Sequence, residues 1–168
     1  MNEPVIRSLV AADYAAVLDL NNNAVPAVNH LDLGDLTWFS GQAEAFVGIY
    51  DDDNRLGGFL ILLEGPACSY PSENYCWFSN QVDGAFLNVD RVVVEPSAQG
   101  RGYGQALYRW ARALDATHWP LICAEVNLVP RKDVSLRFHS GFGFTEIGQR
   151  HHSNGKQLSM LCLATQTG

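Results

Sequence analysis

The chain has 168 residues, 47% of them apolar and 17% charged, and a formal net charge of −7. That composition fits one globular domain over residues 1–168 with bulk enough for a core, and it excludes a disordered or fibrous chain. No apolar run approaches the ~18 residues of a membrane span, and an acidic chain lacks the clustered Lys and Arg that nucleic-acid phosphates require.

The start, MNEPVIRSLV, has neither the basic region nor the apolar core of a secretion signal, so a cytoplasmic protein without a membrane partner is expected. PVIRSLV reads as the first strand. Ala11 to about Asn22 reads as a helix with Ala15, Val17, Leu18 and Leu20 on an apolar side. A second helix is expected over Leu33 to Ala45. AFVGIY and LGGFLILLE, joined by the acidic turn DDDNR, form a hairpin. Residues 65–84 read as a long connection carrying Tyr70, Tyr75, Trp77 and Phe78.

FLNVDRVVVE is the next strand, and Gly102 to about Thr117 the next helix. Within it Leu107, Trp110, Ala111 and Leu114 recur at helical spacing and make one stripe facing a sheet. PLICAEVN is a strand, DVSLRFHSG a short helix, and FGFTEIGQ and KQLSMLCLA two closing strands. Consecutive early strands indicate antiparallel pairing, while the β-α-β passage requires one parallel crossover. The fold class is mixed α+β, with a mostly antiparallel sheet of about seven strands and helices on both faces.

Four cysteines, Cys68, Cys76, Cys123 and Cys162, form no CxxC pair, and two lie in strand-like apolar runs. They read as reduced thiols of a cytoplasmic protein. The doublet His151-His152 has no partner at metal-ligand spacing, so no metal site is expected.

The segment QGRGYGQ carries the chemistry. Glycines at 100, 102 and 104 remove Cβ atoms where a strand turns into a helix, letting an incoming group approach the backbone. The first helical N–H groups have no intrahelical acceptor there, so an anion fits. Arg101 adds positive charge. A bare glycine corner is the alternative. A Walker loop is excluded because no GK[ST] follows. A dinucleotide fingerprint fits poorly: EPSAQ intervenes between strand and glycines, and Gln105 stands where the third glycine belongs.

The passage VDRVVVEPSAQGRGYGQALYRWA resembles motif A of the GNAT acetyltransferases, whose signature is Q/R-x-x-G-x-G/A. Gln99, Gly102 and Gly104 hold those positions, after a V-x-P. The resemblance extends over most of the chain, and looks closest to a bacterial subgroup marked by Leu20-Asn21-Asn22, the VDRVVV run, Glu125 to Asn127, and Phe138-His139. It implies transfer of the acetyl group of acetyl-coenzyme A, as cosubstrate, to a primary amine. The backbone of Gln99, Gly100, Arg101, Gly102, Tyr103, Gly104 and Gln105 would hold the pyrophosphate. Val92, Val93 and Val94 would pair with the pantetheine arm, with the N–H of Val94 polarising the thioester oxygen. Further cofactor contacts would come from Asn127, Ser135 and Phe138. The subgroup's P-P-N-P-A-S here reads Pro130-Arg131-Lys132-Asp133-Val134-Ser135, with Lys132 in place of an asparagine that contacts pantetheine.

Direct attack needs a neutral amine, and an alkylamine of pKa ~10.4 must first lose a proton. Two carboxylates are placed to accept it. Glu125 lies in an otherwise apolar strand, where the family's ribosomal-protein N-terminal acetyltransferases have a base. Asp90 precedes the valines, where polyamine acetyltransferases carry an acid. His139 stands where many relatives carry a tyrosine that protonates the departing thiolate; donation and hydrogen bonding to coenzyme A are both open. The acceptor pocket is expected from residues 20–40, including Asn22, and from Tyr75, Trp77 and Phe78, which alternatively pack over the sheet or in a homodimer contact. Small amine, amino acid and peptide N-terminus are all open as acceptors. The rival reading is a GNAT-fold module that binds acetyl-CoA without turnover.

Overall fold

A computed structural model of the chain describes residues 3–66, 70–114 and 116–165. Its strands hydrogen-bond in the order β1-β2-β3-β4-β5-β7-β6. The pairs β1–β2, β2–β3, β5–β7 and β6–β7 are antiparallel, and β4–β5 is parallel. This is the mixed, mostly antiparallel sheet expected. The chain divides into two compact units that interleave in sequence: residues up to Leu63 with Asp90–Ala111, and Glu64–Val89 with the chain from Arg112 onward.

In the first unit, β1 (Val5–Ser8) leads through a short 3-10 turn into α1 (Tyr14–Asn22), and α2 (Leu33–Gln42) follows. Val17 and Leu20 of α1 are buried, whereas Ala15 is exposed. Helix α2 starts where Asp32 accepts from the N–H of Asp35 and Asp35 accepts from the N–H of Asp32, both at 2.9 Å. It stops at Gln42, short of the expected Ala45, because Ala45 opens β2 (Ala45–Tyr50). All six residues of β2 are buried, and so is almost all of β3 (Leu56–Gly65). That explains why both read as continuous apolar runs: both faces are covered. Their turn is closed by Asp51, whose carboxylate accepts from the N–H groups of Asp53 and Arg55. The last part of β4 (Phe86–Val94) and α4 (Tyr103–Arg112) complete this unit. Tyr103, Leu107, Tyr108 and Ala111 form the buried stripe of α4; Tyr108, not Trp110, takes the inward position.

In the second unit, α3 (Glu73–Gln81) occupies nearly half of what the sequence suggested was a loop. The signal was present in Ser72, whose hydroxyl caps the helix by accepting from the N–H of Tyr75. Its aromatic content disguised it, since Tyr, Trp and Phe are weak helix formers. Tyr75 and Phe78 bury one face of α3 against Phe86. Strand β5 (Leu121–Val129) is followed by α5 (Asp133–Phe142), β6 (Thr145–His151) and β7 (Gln157–Ala164). β6 begins later than expected because Gly143, at φ +121°, ends α5: its N–H returns to the carbonyls of His139 and Ser140. No helix among the described residues is long and apolar enough to cross a membrane.

Candidate active site

Between β4 and α4 the chain makes a 3-10 turn at Pro96–Ala98 and then passes through two left-handed glycines, Gly100 at φ +86° and Gly102 at φ +78°. A Cβ at either position would meet nothing within 4 Å. Glycine is needed there for the backbone path, and the space beside it is open. The first backbone bond of α4 runs from the N–H of Ala106 to the carbonyl of Gly102, at 2.9 Å. The N–H groups of Tyr103, Gly104 and Gln105 therefore precede the first intrahelical acceptor. No acid lies in that first turn, so the partial positive charge of the helix terminus is not offset locally. Arg101 and Gln99 are exposed beside it.

Tyr103 enters this set through its backbone only. Its side chain is buried and lies over Gly57 of β3, where any Cβ would collide with the ring. Behind the loop, Asp51, Arg55, Glu95, Ser97 and Arg101 line a shallow polar hollow of about 80 Å³. That is well below the roughly 300 Å³ of an ordinary ligand pocket, so the hollow is too small to hold a ligand of ordinary size.

Strand β4 presents its edges alternately. The N–H of Glu95 donates to the carbonyl of Gly57 at 2.8 Å, so the N–H groups of odd-numbered neighbours point toward β3. Those of Val92 and Val94 point away from it. Gly58 keeps β3 close: a Cβ there would stand 2.7 Å from the carbonyl oxygen of Val93. Val93 is buried, while Val92 and Val94 are partly exposed. Asp90 is the inner partner of an ion pair, accepting from Arg91 Nε at 2.9 Å, with side chains 6% and 10% exposed respectively.

On β5, Glu125 is half-buried and stands opposite Met160 of β7. By strand alternation it shares a face with Cys123 and Asn127. Cys123 is opposite Cys162, with sulfurs 3.2 Å apart and both residues buried. The Cys123 thiol is pushed up, first by its hydrogen bond with Cys162 and then by burial, the Glu125 carboxylate adding a little; Cys162 is pulled down by the same bond. Cys76 is exposed, and Cys68 lies outside the described residues. Lys132 is exposed, and its N–H closes the turn after β5 by donating to the carbonyl of Asn127 at 3.2 Å.

Helix α5 carries Ser135, Phe138 and His139, the first two half-buried and the third 4% exposed. His139 Nδ1 lies 2.8 Å from the carbonyl oxygen of Ser135. A carbonyl only accepts, so Nδ1 holds the proton and Nε2 is the acceptor side of the ring. Burial keeps the imidazole neutral by lowering its pKa, the Ser135 carbonyl opposing more weakly. Of the two roles left open for His139, a neutral ring in this tautomer suits hydrogen bonding better than proton donation.

The aromatic wall expected for the acceptor is largely core. Tyr75 and Phe78 are 3% and 0% exposed, and the Tyr75 hydroxyl donates to the carbonyl of Glu64 at 2.9 Å. Trp77 packs on Gly148 of β6, where a Cβ would stand 2.8 Å from its ring. These three are explained by packing. Asn22 also has partners: Nδ2 donates to the carbonyl of Leu31 at 3.0 Å, and Oδ1 accepts from the N–H of Leu31 at 2.9 Å. The sequence marked Asn21 and the VDRVVV run as part of a resemblance but gave Arg91 and Asn21 no role; their contact joins positions 70 residues apart.

The model of the acetyltransferase (GNAT) family matches residues 14–144, and the chain belongs to that family of acyl-transferring enzymes. No curated protein sequence matches it. Among solved structures, the ribosomal-protein-S18-alanine N-acetyltransferase of Escherichia coli is 16% identical with a TM-score of 0.68, covering 98% of this chain and 96% of that one. An N-acetyltransferase from Staphylococcus aureus Mu50 is also 16% identical, with a TM-score of 0.72 and coverages of 98% and 100%. Arabidopsis thaliana NAA60, solved with acetyl-CoA, is 11% identical with a TM-score of 0.74, covering 96% of this chain and 99% of that one. At these identities the likeness speaks for the fold.

Proposed function

We propose that the chain, as one domain, is an acetyl-CoA-dependent N-acetyltransferase acting on a primary amine. The observation that carries this reading is the open N-terminus of α4 behind two left-handed glycines, directly downstream of a strand whose Val92 and Val94 N–H groups face away from β3. The first suits a pyrophosphate, and the second suits the amide-bearing pantetheine arm and the thioester oxygen. Ser135, Phe138 and Asn127 are half-buried, as residues lining that arm would be.

Glu125 is the general base in this reading. Asp90 is committed to Arg91, which favours Glu125, a half-buried carboxylate on β5. The ammonium gives one proton to Glu125, the neutral amine attacks the thioester carbonyl, and the nitrogen sheds its second proton to solvent as the C–S bond breaks; the thiolate leaves readily with a thiol pKa of ~8.5 and takes a proton from solvent. His139 serves coenzyme A as an acceptor at Nε2. The acceptor amine, small or peptide, binds against the connection between α1 and α2. Free thiols at Cys76, Cys123 and Cys162 suit a reducing, cytoplasmic compartment.

Thermal unfolding with acetyl-CoA, CoA and NAD, followed by thiol release across an amine panel, tests the proposal. The expected result is stabilisation by both CoA species and release with at least one amine. No stabilisation at millimolar CoA would sink it, and binding without release would make the chain a sensor. Glu125→Gln is expected to lower kcat by about 10²-fold or more with acetyl-CoA affinity nearly unchanged. Unchanged turnover would move the proton to Asp90 or to water.

A further inference from the structure

Two sequence marks take no part in the chemistry above: the pair Asn21-Asn22 and the arginine of VDRVVV. In the structure they are one network. Asn21, at the end of α1, is 0% exposed. Arg91 Nη1 donates to Asn21 Oδ1 and to the carbonyl of Asn29, each at 3.0 Å, while its Nε holds Asp90. Asn21 Nδ2 donates to the same Asn29 carbonyl at 2.9 Å and to Asn22 Oδ1 at 3.0 Å. Asn22 then binds both backbone groups of Leu31. The guanidinium also lies 5.9 Å from the centre of the Phe39 ring of α2.

Side chains thus hold Asn29 and Leu31 where the connection carries no helix or strand ladder. A guanidinium this buried is tolerated only when its hydrogens find acceptors, and its fixed fork lets one side chain bind the carboxylate and two oxygens at once. A lysine ammonium offers no such fixed geometry. The anchor is the residue immediately before Val92, so the connection is referenced to the edge that faces the thioester in the proposed reaction.

We propose that Arg91 is a positioning residue: it touches no reacting atom, and it fixes the α1–α2 connection, residues 23–32, against β4 so that the acceptor amine meets the thioester in register. This rests on the reading of the site given above. The test compares wild type with Arg91→Lys, Arg91→Met, Asn21→Ala and the double variant Arg91→Met/Asn21→Ala. Thiol release is followed with n-butylamine, glycinamide and a tetrapeptide with a free N-terminus, alongside acetyl-CoA affinity and backbone amide exchange. The expected result is a rise of about tenfold or more in amine KM, with kcat and acetyl-CoA Kd within about threefold. Exchange should accelerate in residues 23–32 and not in residues 90–94. The double variant should be no worse than the poorer single one, because the partners act as a unit. Should Arg91→Met fail to fold, Arg91→Lys and Asn21→Ala carry the comparison. An unchanged KM, or a parallel loss of acetyl-CoA affinity with exchange rising throughout, overturns the assignment. If wild type releases thiol with none of the probes, exchange decides: protection unchanged in residues 23–32 overturns the anchoring. Absence of acetyl-CoA binding overturns the reading of the site instead.

Discussion

His139 shows how far one side chain constrains a mechanism. Its pKa is lowered by burial, so the unfolded chain binds its proton more readily than the folded one. The stability this confers is complete above the unfolded value of ~6.5 and is lost as pH falls through the folded pKa. The melting temperature should therefore drop between pH 7.5 and 5, and His139→Gln should flatten part of that slope. An equal slope in both proteins would place the titrating group elsewhere. The histidine itself was legible in the sequence, but its tautomer was not, because that depends on the Ser135 carbonyl one helical turn back. The anchoring role of Arg91 was illegible for a related reason: beyond the adjacent Asp90, two of its partners lie 62 and 70 residues away. Neither spacing nor residue type announces such a contact.

Between β4 and α4, local sequence says nearly everything. Gly100 and Gly102 are required by positive φ, and an added Cβ would meet nothing within 4 Å, so Gly102→Ala should cost about 1 kcal/mol or more in stability. It should also weaken acetyl-CoA binding; full affinity, measured by calorimetry, would mean that the cofactor does not use this turn. Gly57 is required for the opposite reason, crowding by Tyr103. Gly57→Ala should push that ring and the first turn of α4 outward, seen as weaker acetyl-CoA binding with the distant β5–β7 ladder still protected from exchange. The two glycine types look alike as letters. The acceptor-side aromatics failed for a kindred reason, since Tyr75 and Phe78 are as consistent with a helix core as with a wall. Burial also sorts the thiols. A disulfide reagent should modify Cys76 in the native protein at once, and Cys123 and Cys162 only upon unfolding; rapid native labelling of Cys123 would contradict their packing.

For the whole molecule, the succession of strands and the mixed pairing were readable because each apolar run was long and bounded by turn residues, and because one crossover had to be parallel. What the pattern could not fix was α3, hidden among aromatics. A ligand that binds only the folded chain raises its stability by about 2.7 kcal/mol at a hundredfold excess over Kd, so acetyl-CoA at that level should raise the melting temperature by several degrees. A shift equal to that given by NAD would signal nonspecific binding. The double clasp between Asn22 and Leu31 bears on any attempt to change what this protein acts upon. In the proposed reading residues 23–32 are the natural stretch to exchange or randomise, yet their C-terminal end is specified from outside the stretch. A library that replaces them while leaving Asn21, Asn22 and Arg91 in place needs a backbone carbonyl at position 29 and a free N–H and carbonyl at 31. Loops of altered length, or with proline at 31, would lose that seat, so productive diversity lies in side chains at fixed length.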